Sequence, residues 1–141
     1  MMQRPGFALN EIPVGSIQPA VIDCSALVDV VTGRSAARLE HYQLHAPTLL
    51  DYEFASAAAR IDRSDPRGDA GSEMLVHLRG LTVTRHRADL LMARIWETRH
   101  SISLYDGAYV ALSRLLSAPL ITRDRKLATA ARPYCDVIVP E

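Results

Sequence analysis

Short apolar runs alternate along this chain with amphipathic helical stretches. The alternation predicts an α/β fold with a parallel sheet covered by helices on both faces. Two further observations agree. The chain has 141 residues, 48% of them hydrophobic and 23% charged, enough for one domain with a real core. Two carboxylates, Asp23 and Asp124, stand just beyond strand-like runs, where parallel sheets build their sites.

The elements follow in order. Residues 1–16 hold Pro5, Gly6, Pro13 and Gly15 and read as an irregular extension, with the folded domain over 17–141. Ala20-Val21-Ile22, bounded by Pro19, reads as a buried strand. Ser25 is placed to cap a helix to about Thr32, closed by Gly33. Ser35 is placed to cap a second helix to about Gln43, and Leu44-His45-Ala46 forms a weak strand signal. Thr48 to Ile61 is helical, and Arg63 to Asp69 is a polar loop positioned to admit a substrate or partner. Ser72 to Arg79 reads as a short helix, Leu81 to Thr84 as a strand, and Arg87 to Arg99 as an amphipathic helix with Leu90, Leu91, Ile95 and Trp96 around its apolar face. Ser103 to Leu116 is a helix, Leu120-Ile121-Thr122 a strand, Arg125 to Ala131 a short helix and Val137-Ile138-Val139 a last strand.

Four acids stand beside these apolar runs: Asp23, Glu53, Asp106 and Asp124. Carboxylates are seldom buried unpaired, and four brought together repel unless a cation balances them. Each also has a plainer reading. Asp23 suits a helix cap, although Ser25 is available for that. Asp106 follows Ser103 in a capping-box spacing, and Asp124 precedes a helix it can cap. Glu53 is the sharper case. It shares a helical face with Leu49, Leu50 and Ala57, whereas Asp51 is turned away by about 200° and faces solvent. Thr122, two residues before Asp124, can add an oxygen on the same side. Oxygen ligands of this kind suit Mg²⁺ or Mn²⁺.

Other chemistries find little support. Sixteen basic and sixteen acidic residues balance, so any polyanion must meet a local patch; fifteen of the sixteen bases are arginine. Cys24 and Cys135 lack zinc-type spacing and read as small buried thiols rather than a disulfide. The five histidines are scattered, and Asp62, Asp65 and Asp69 read as solvated loop acids. There is no phosphate-binding glycine loop and no nucleophile elbow. No apolar run has membrane-spanning length and the N-terminus lacks a signal-peptide core, so a cytoplasmic protein is expected.

Four segments, in this order, carry a family likeness: Val21-Ile22-Asp23-Cys24-Ser25-Ala26-Leu27-Val28, Ala46-Pro47-Thr48-Leu49-Leu50-Asp51-Tyr52-Glu53-Phe54, Leu104-Tyr105-Asp106-Gly107-Ala108-Tyr109-Val110-Ala111-Leu112 and Pro119-Leu120-Ile121-Thr122-Arg123-Asp124-Arg125-Lys126-Leu127. Together they resemble the PIN-domain ribonuclease toxins of VapC type over about residues 20–139. The resemblance implies a PIN-like three-layer α/β/α sandwich. It also implies a Mg²⁺- or Mn²⁺-dependent endoribonuclease leaving 5′-phosphate and 3′-hydroxyl ends, a homodimer, and a VapB-type antitoxin that blocks the site. By position it makes Asp23, Glu53, Asp106 and Asp124 the acidic quartet, with Asp23 and Asp106 the principal metal ligands. The chain departs from the family in its sixteen or so leading residues and in Cys24, where Ala, Thr or Ser is more usual. Arg123, Arg125 and Lys126 flank Asp124 and are candidates for RNA phosphates, with Arg99 and His100 a second pair. The competing readings are a metal-dependent phosphoesterase of small molecules and a PIN-like module that only binds a partner.

Overall fold

The computed structural model describes residues 17–35 and 38–141. Five strands, β1 (Gln18–Ile22), β2 (Tyr42–Pro47), β3 (Val83–His86), β4 (Leu120–Ile121) and β5 (Val137–Ile138), form one sheet in the order β3-β2-β1-β4-β5. Every pairing is parallel. The helices are α1 (Cys24–Val31), α2 (Leu49–Ser64), α3 (Ala70–Gly80), α4 (Ala88–Glu97), α5 (Leu104–Leu116) and α6 (Arg125–Ala131). The expected irregular extension over 1–16 lies outside the described residues.

The three layers follow from strand alternation. Ala20 and Ile22 of β1 face one way and join Leu44 and Ala46 of β2 in a core closed by Leu27, Leu50, Phe54 and Met74 of α1, α2 and α3. Val21, between them, faces the other way with Leu120 and packs against Leu91, Tyr109, Val110, Leu112 and Leu127 of α4, α5 and α6. The sheet is therefore apolar on both sides, as a parallel sheet requires.

The order of strands locates the site. The chain runs outward from β1 to β2 and β3, then returns to add β4 and β5 on the other side of β1. β1 and β4 thus flank a topological switch point, with Ile22 beside Ile121. The backbone N–H of Asp23 donates to the carbonyl of Ile121, so the exits of both strands are tied together.

Several local expectations need correction. No helix runs to Gln43: of its described residues, 38–41 are non-helical, while Tyr42 and Gln43 belong to β2. Tyr42, Leu44 and Ala46 all face the α1–α3 core, so register with β1 from Gln18 opposite Tyr42 onward outweighs the local Ser35 cap signal. β3 lies two residues later than the Leu81–Thr84 run, since Leu81 still ends α3. In α4 the buried residues are Leu91 and Ile95, whereas Leu90 and Trp96 are exposed. The loop acids are not merely solvated. Asp65 accepts the N–H groups of Arg67, Asp69 and Ala70, and Asp62 accepts the Gly71 N–H at 2.6 Å. His45 is buried, its Nδ1 2.9 Å from His86 Nε2, so the pair shares one proton and desolvation lowers the His45 pKa. Cys24 and Cys135 are free thiols, half-buried rather than buried.

At Gly71 α3 runs close against α2. A Cβ there would collide with the Ala58 carbonyl oxygen and stand 2.7 Å from an Asp62 oxygen. Both are fixed, one by the α2 backbone and the other by its bond to the Gly71 N–H. Gly71→Ala is therefore expected to lower stability by about 1–3 kcal/mol in urea unfolding, the cost typical of overpacking.

Candidate active site

Asp23 is the innermost of the acids. It lies one residue beyond β1, is only 5% exposed, and caps α1 by accepting the Ala26 N–H at 3.0 Å. The cap expected of Ser25 thus comes from Asp23, and Ser25 does something else. Its hydroxyl donates to both carboxylate oxygens, at 2.8 and 2.9 Å. Thr122 Oγ1, from the exit of β4, donates to Asp23 Oδ2 at 2.5 Å. Each hydroxyl also accepts a backbone N–H from the turn after β4: Arg123 N–H to Ser25 Oγ and Asp124 N–H to Thr122 Oγ1, both at 3.0 Å. Burial nevertheless dominates and pushes Asp23 up to about 6, the hydroxyls and the cap opposing and the Asp124 charge adding to it.

Asp124 caps α6, its Oδ1 accepting from Lys126 and Leu127 N–H. Asp106 lies in the first turn of α5, where Ser103 is the cap. Glu53, from α2, accepts a 2.5 Å hydrogen bond from the Tyr109 hydroxyl of α5. Burial raises both Asp106 and Glu53. The Asp124 charge adds to the rise at Asp106, and the Asp106 charge to the rise at Glu53. The helical phase that turned Glu53 inward and Asp51 outward holds: Asp51 instead pairs with Arg85 at 2.9 Å.

All four acids line one cleft of about 640 Å³ at the carboxyl ends of β1 and β4, together with Ser25, Ser56, Arg60, Tyr105 and Arg123. Among the described residues no three Asp, Glu, His or Cys side chains are gathered tightly enough to enclose one ion. The acids ring the cleft, graded from buried Asp23 through half-buried Glu53 and Asp106 to exposed Asp124. Their chemistry fits a hard divalent cation, because the donors are oxygens and their charges oppose one another.

A PIN domain model matches residues 20–133. The chain belongs to the PIN-domain family. Its relatives place it among the VapC proteins. A VapC ribonuclease of Mycobacterium bovis is 37% identical over 122 residues, covering 84% of this chain and 96% of the relative. Ribonuclease VapC3 of Mycobacterium tuberculosis is 34% identical over 125 residues, covering 84% and 91%. In fold the chain is similar to the crystal structure of PAE2754 from Pyrobaculum aerophilum, with a TM-score of 0.62 and 20% identity over 86% of this chain and 89% of that one. The expected PIN-like sandwich is the fold of this chain.

The basic candidates separate. Arg123 lines the cleft, but its Nε pairs with Asp29 at 2.9 Å and its Nη1 donates to the Pro140 carbonyl. Arg125 and Lys126 are exposed beside Asp124. Arg99 and His100 do not line the cleft; Arg99 stacks 4.6 Å from the Trp96 ring. Sequence reasoning missed Arg60, seven residues after Glu53 on α2. Its spacing of two turns could have placed it on the same face. Cys24 borders the cleft with its thiol pushed up to about 12, by burial first and then by Glu53 and Asp23, so it is no nucleophile at neutral pH.

Asp23 also sets a pH signature. Its folded pKa, about 6, lies above the ordinary 3.8, so the folded state holds a proton that the unfolded chain releases between these values. Metal-free stability from this group is full below pH 3.8 and is lost as pH rises through 6. Asp23→Asn removes that loss. Its melting temperature relative to the parent chain, in EDTA, is expected to rise from pH 5 to 7.5, by the equivalent of about 1 kcal/mol.

Proposed function

We propose that this chain is the toxin of a type II toxin–antitoxin pair, a Mg²⁺- or Mn²⁺-dependent endoribonuclease acting on cellular RNA in the cytoplasm. The observation that carries the reading is the cleft lined by Asp23, Glu53, Asp106 and Asp124 at the switch point of a PIN fold, in a chain whose relatives are named VapC ribonucleases. Asp23 and Asp106 would be the principal ligands, with Glu53 and Asp124 completing the set. When bound, the cation supplies the positive charge that lets four carboxylates face one phosphodiester, and it polarises that phosphate.

The residues themselves divide the remaining work. The hydroxyls of Ser25 and Thr122 hold Asp23 in one orientation. Asp124 is the most exposed acid, with both capping bonds on Oδ1, so Oδ2 is available to take a proton from an attacking water. Attack by that water forms a new P–O bond and breaks the bond to the 3′ oxygen, leaving a 5′-phosphate and, after protonation, a 3′-hydroxyl. Among the described residues near the four acids, Arg60, Arg125 and Lys126 carry no ion pair and would receive flanking phosphates.

A protein partner is supported by exposed apolar side chains. Tyr52, Met92, Trp96, Leu104 and Tyr105 line an apolar groove of about 420 Å³ between α2, α4 and α5. Leu49 and Tyr105 border both this groove and the acidic cleft. A VapB-type antitoxin seated there would lie at the mouth of the site, and homodimerisation is the other use such a surface serves.

The test is cleavage of total RNA by the purified chain. Discrete fragments are expected with Mg²⁺ or Mn²⁺ and none with EDTA. Asp23→Asn and Asp106→Asn should each keep the circular-dichroism spectrum and melt cooperatively, yet lose metal-dependent cleavage. Full activity in either variant would sink the assignment, and cleavage of small phosphate esters but not RNA would favour a phosphoesterase.

A further inference from the structure

We propose that Tyr109 is a positioning residue for the acidic site, holding Glu53 so that one chosen carboxylate oxygen faces the cleft. The inference rests on the metal-dependent reading above. Tyr109 lies three residues after Asp106 on α5, so one face of that helix carries both the Asp106 carboxylate and the Tyr109 phenol. The ring is only 2% exposed and packs with Leu91, Val110 and Leu112 in the core on that side of the sheet. Its hydroxyl reaches across to α2 and donates to Glu53 Oε1 at 2.5 Å.

The two partners are unequal. The phenol is fixed by core packing, whereas a half-buried glutamate has three side-chain torsions to choose from. Tyr109 therefore orients Glu53, not the reverse. The bond also assigns the oxygens. Oε1 accepts the phenol's proton, and among the described residues Oε2 accepts no hydrogen bond, so Oε2 is the less committed oxygen to offer a cation. Among the described residues no lysine or arginine pairs with Glu53, so the phenol holds it without neutralising its charge. Outer-shell bonds of this kind typically tune metal affinity by about 10–100-fold.

The experiment is a Mn²⁺ titration followed by the electron paramagnetic resonance signal of the free ion. It compares the parent chain, Tyr109→Phe, Glu53→Gln and the double variant at one pH. Tyr109→Phe keeps the ring and is expected to weaken Mn²⁺ binding about tenfold. In the Glu53→Gln background the same change should add nothing, because no carboxylate is left to orient. Parental affinity in Tyr109→Phe, or an equal loss in both backgrounds, would overturn the proposal. If the Phe variant does not fold, Glu53→Asp takes its place. Shortened by one methylene, that carboxylate must release either the phenol or the ion, and unchanged affinity would overturn the proposal. A parent chain that binds no Mn²⁺ overturns the metal reading itself, a result distinct from parental binding that Tyr109 does not influence.

Discussion

A carboxylate buried beneath the exits of two parallel strands is held by very few groups, and the geometry of the site depends on them. Asp23 receives one backbone N–H and two hydroxyl protons. Ser25 and Thr122 have one proton each, and both protons are committed to Asp23. Their mutual 3.3 Å contact is therefore a close approach rather than a further hydrogen bond. With its proton spent, each oxygen is free to accept, and each accepts a backbone N–H of the turn that leads into α6. One anion thus organises both strand exits. Donation to a charge also polarises the hydroxyls and strengthens the bonds they accept. Asp124 is placed at the cleft by this relay, although it never touches Asp23 through a hydrogen bond.

The same burial sets the electrostatics. Desolvation is the largest influence on Asp23, Glu53 and Asp106, and in each a neighbouring acid adds to it. Hydrogen bonds oppose it in all three without cancelling it. A protein selected for stability alone would place a neutral residue at Asp23, which a hydroxyl network and a helix start would tolerate. Three acids held above their ordinary pKa by burial and by a neighbouring carboxylate, Asp124 for Asp23 and Asp106, and Asp106 for Glu53, make a cleft in which added positive charge is favourable.

Much of this was legible in the sequence, for reasons of period and position. Ala20-Val21-Ile22 reads as a strand because both faces of it are buried. Glu53 was separable from Asp51 because a helix turns neighbours two apart to different sides, and the structure gives one to Tyr109 and the other to Arg85. What escaped depends on partners remote in sequence. Ser25 reads locally as a helix cap, yet its role is fixed by Asp23 and a turn 98 residues on. Tyr109 reads as core, and its hydroxyl acquires meaning only when α2 is brought against α5. Tyr42 and Gln43 look helical until pairing with β1 sets their register. Leu90 and Trp96 read as lying around the apolar face of α4, but only Leu91 and Ile95 are covered and these two stay outside.

The basic residues divide by the same logic. Arg123, Arg125 and Lys126 look equivalent in sequence, flanking one acid. Arg123 differs because its side chain turns back to Asp29 on α1 and to the carbonyl of Pro140. It therefore ties the C-terminal segment to the first helix, and these two bonds fix the direction of its guanidinium. Arg125 and Lys126 are exposed in the first turn of α6, next to Asp124 but outside the cleft lining, whereas Arg60, two turns beyond Glu53, lines the cleft from α2. With acids and bases in balance overall, net charge gives this chain no general attraction for a polyanion. On the proposed ribonuclease reading, Arg60 on one side and Arg125 and Lys126 beyond Asp124 on the other would give an RNA strand two separate phosphate contacts, with the phosphodiester between them over the carboxylates. That arrangement relies on local contacts at the site rather than on net charge.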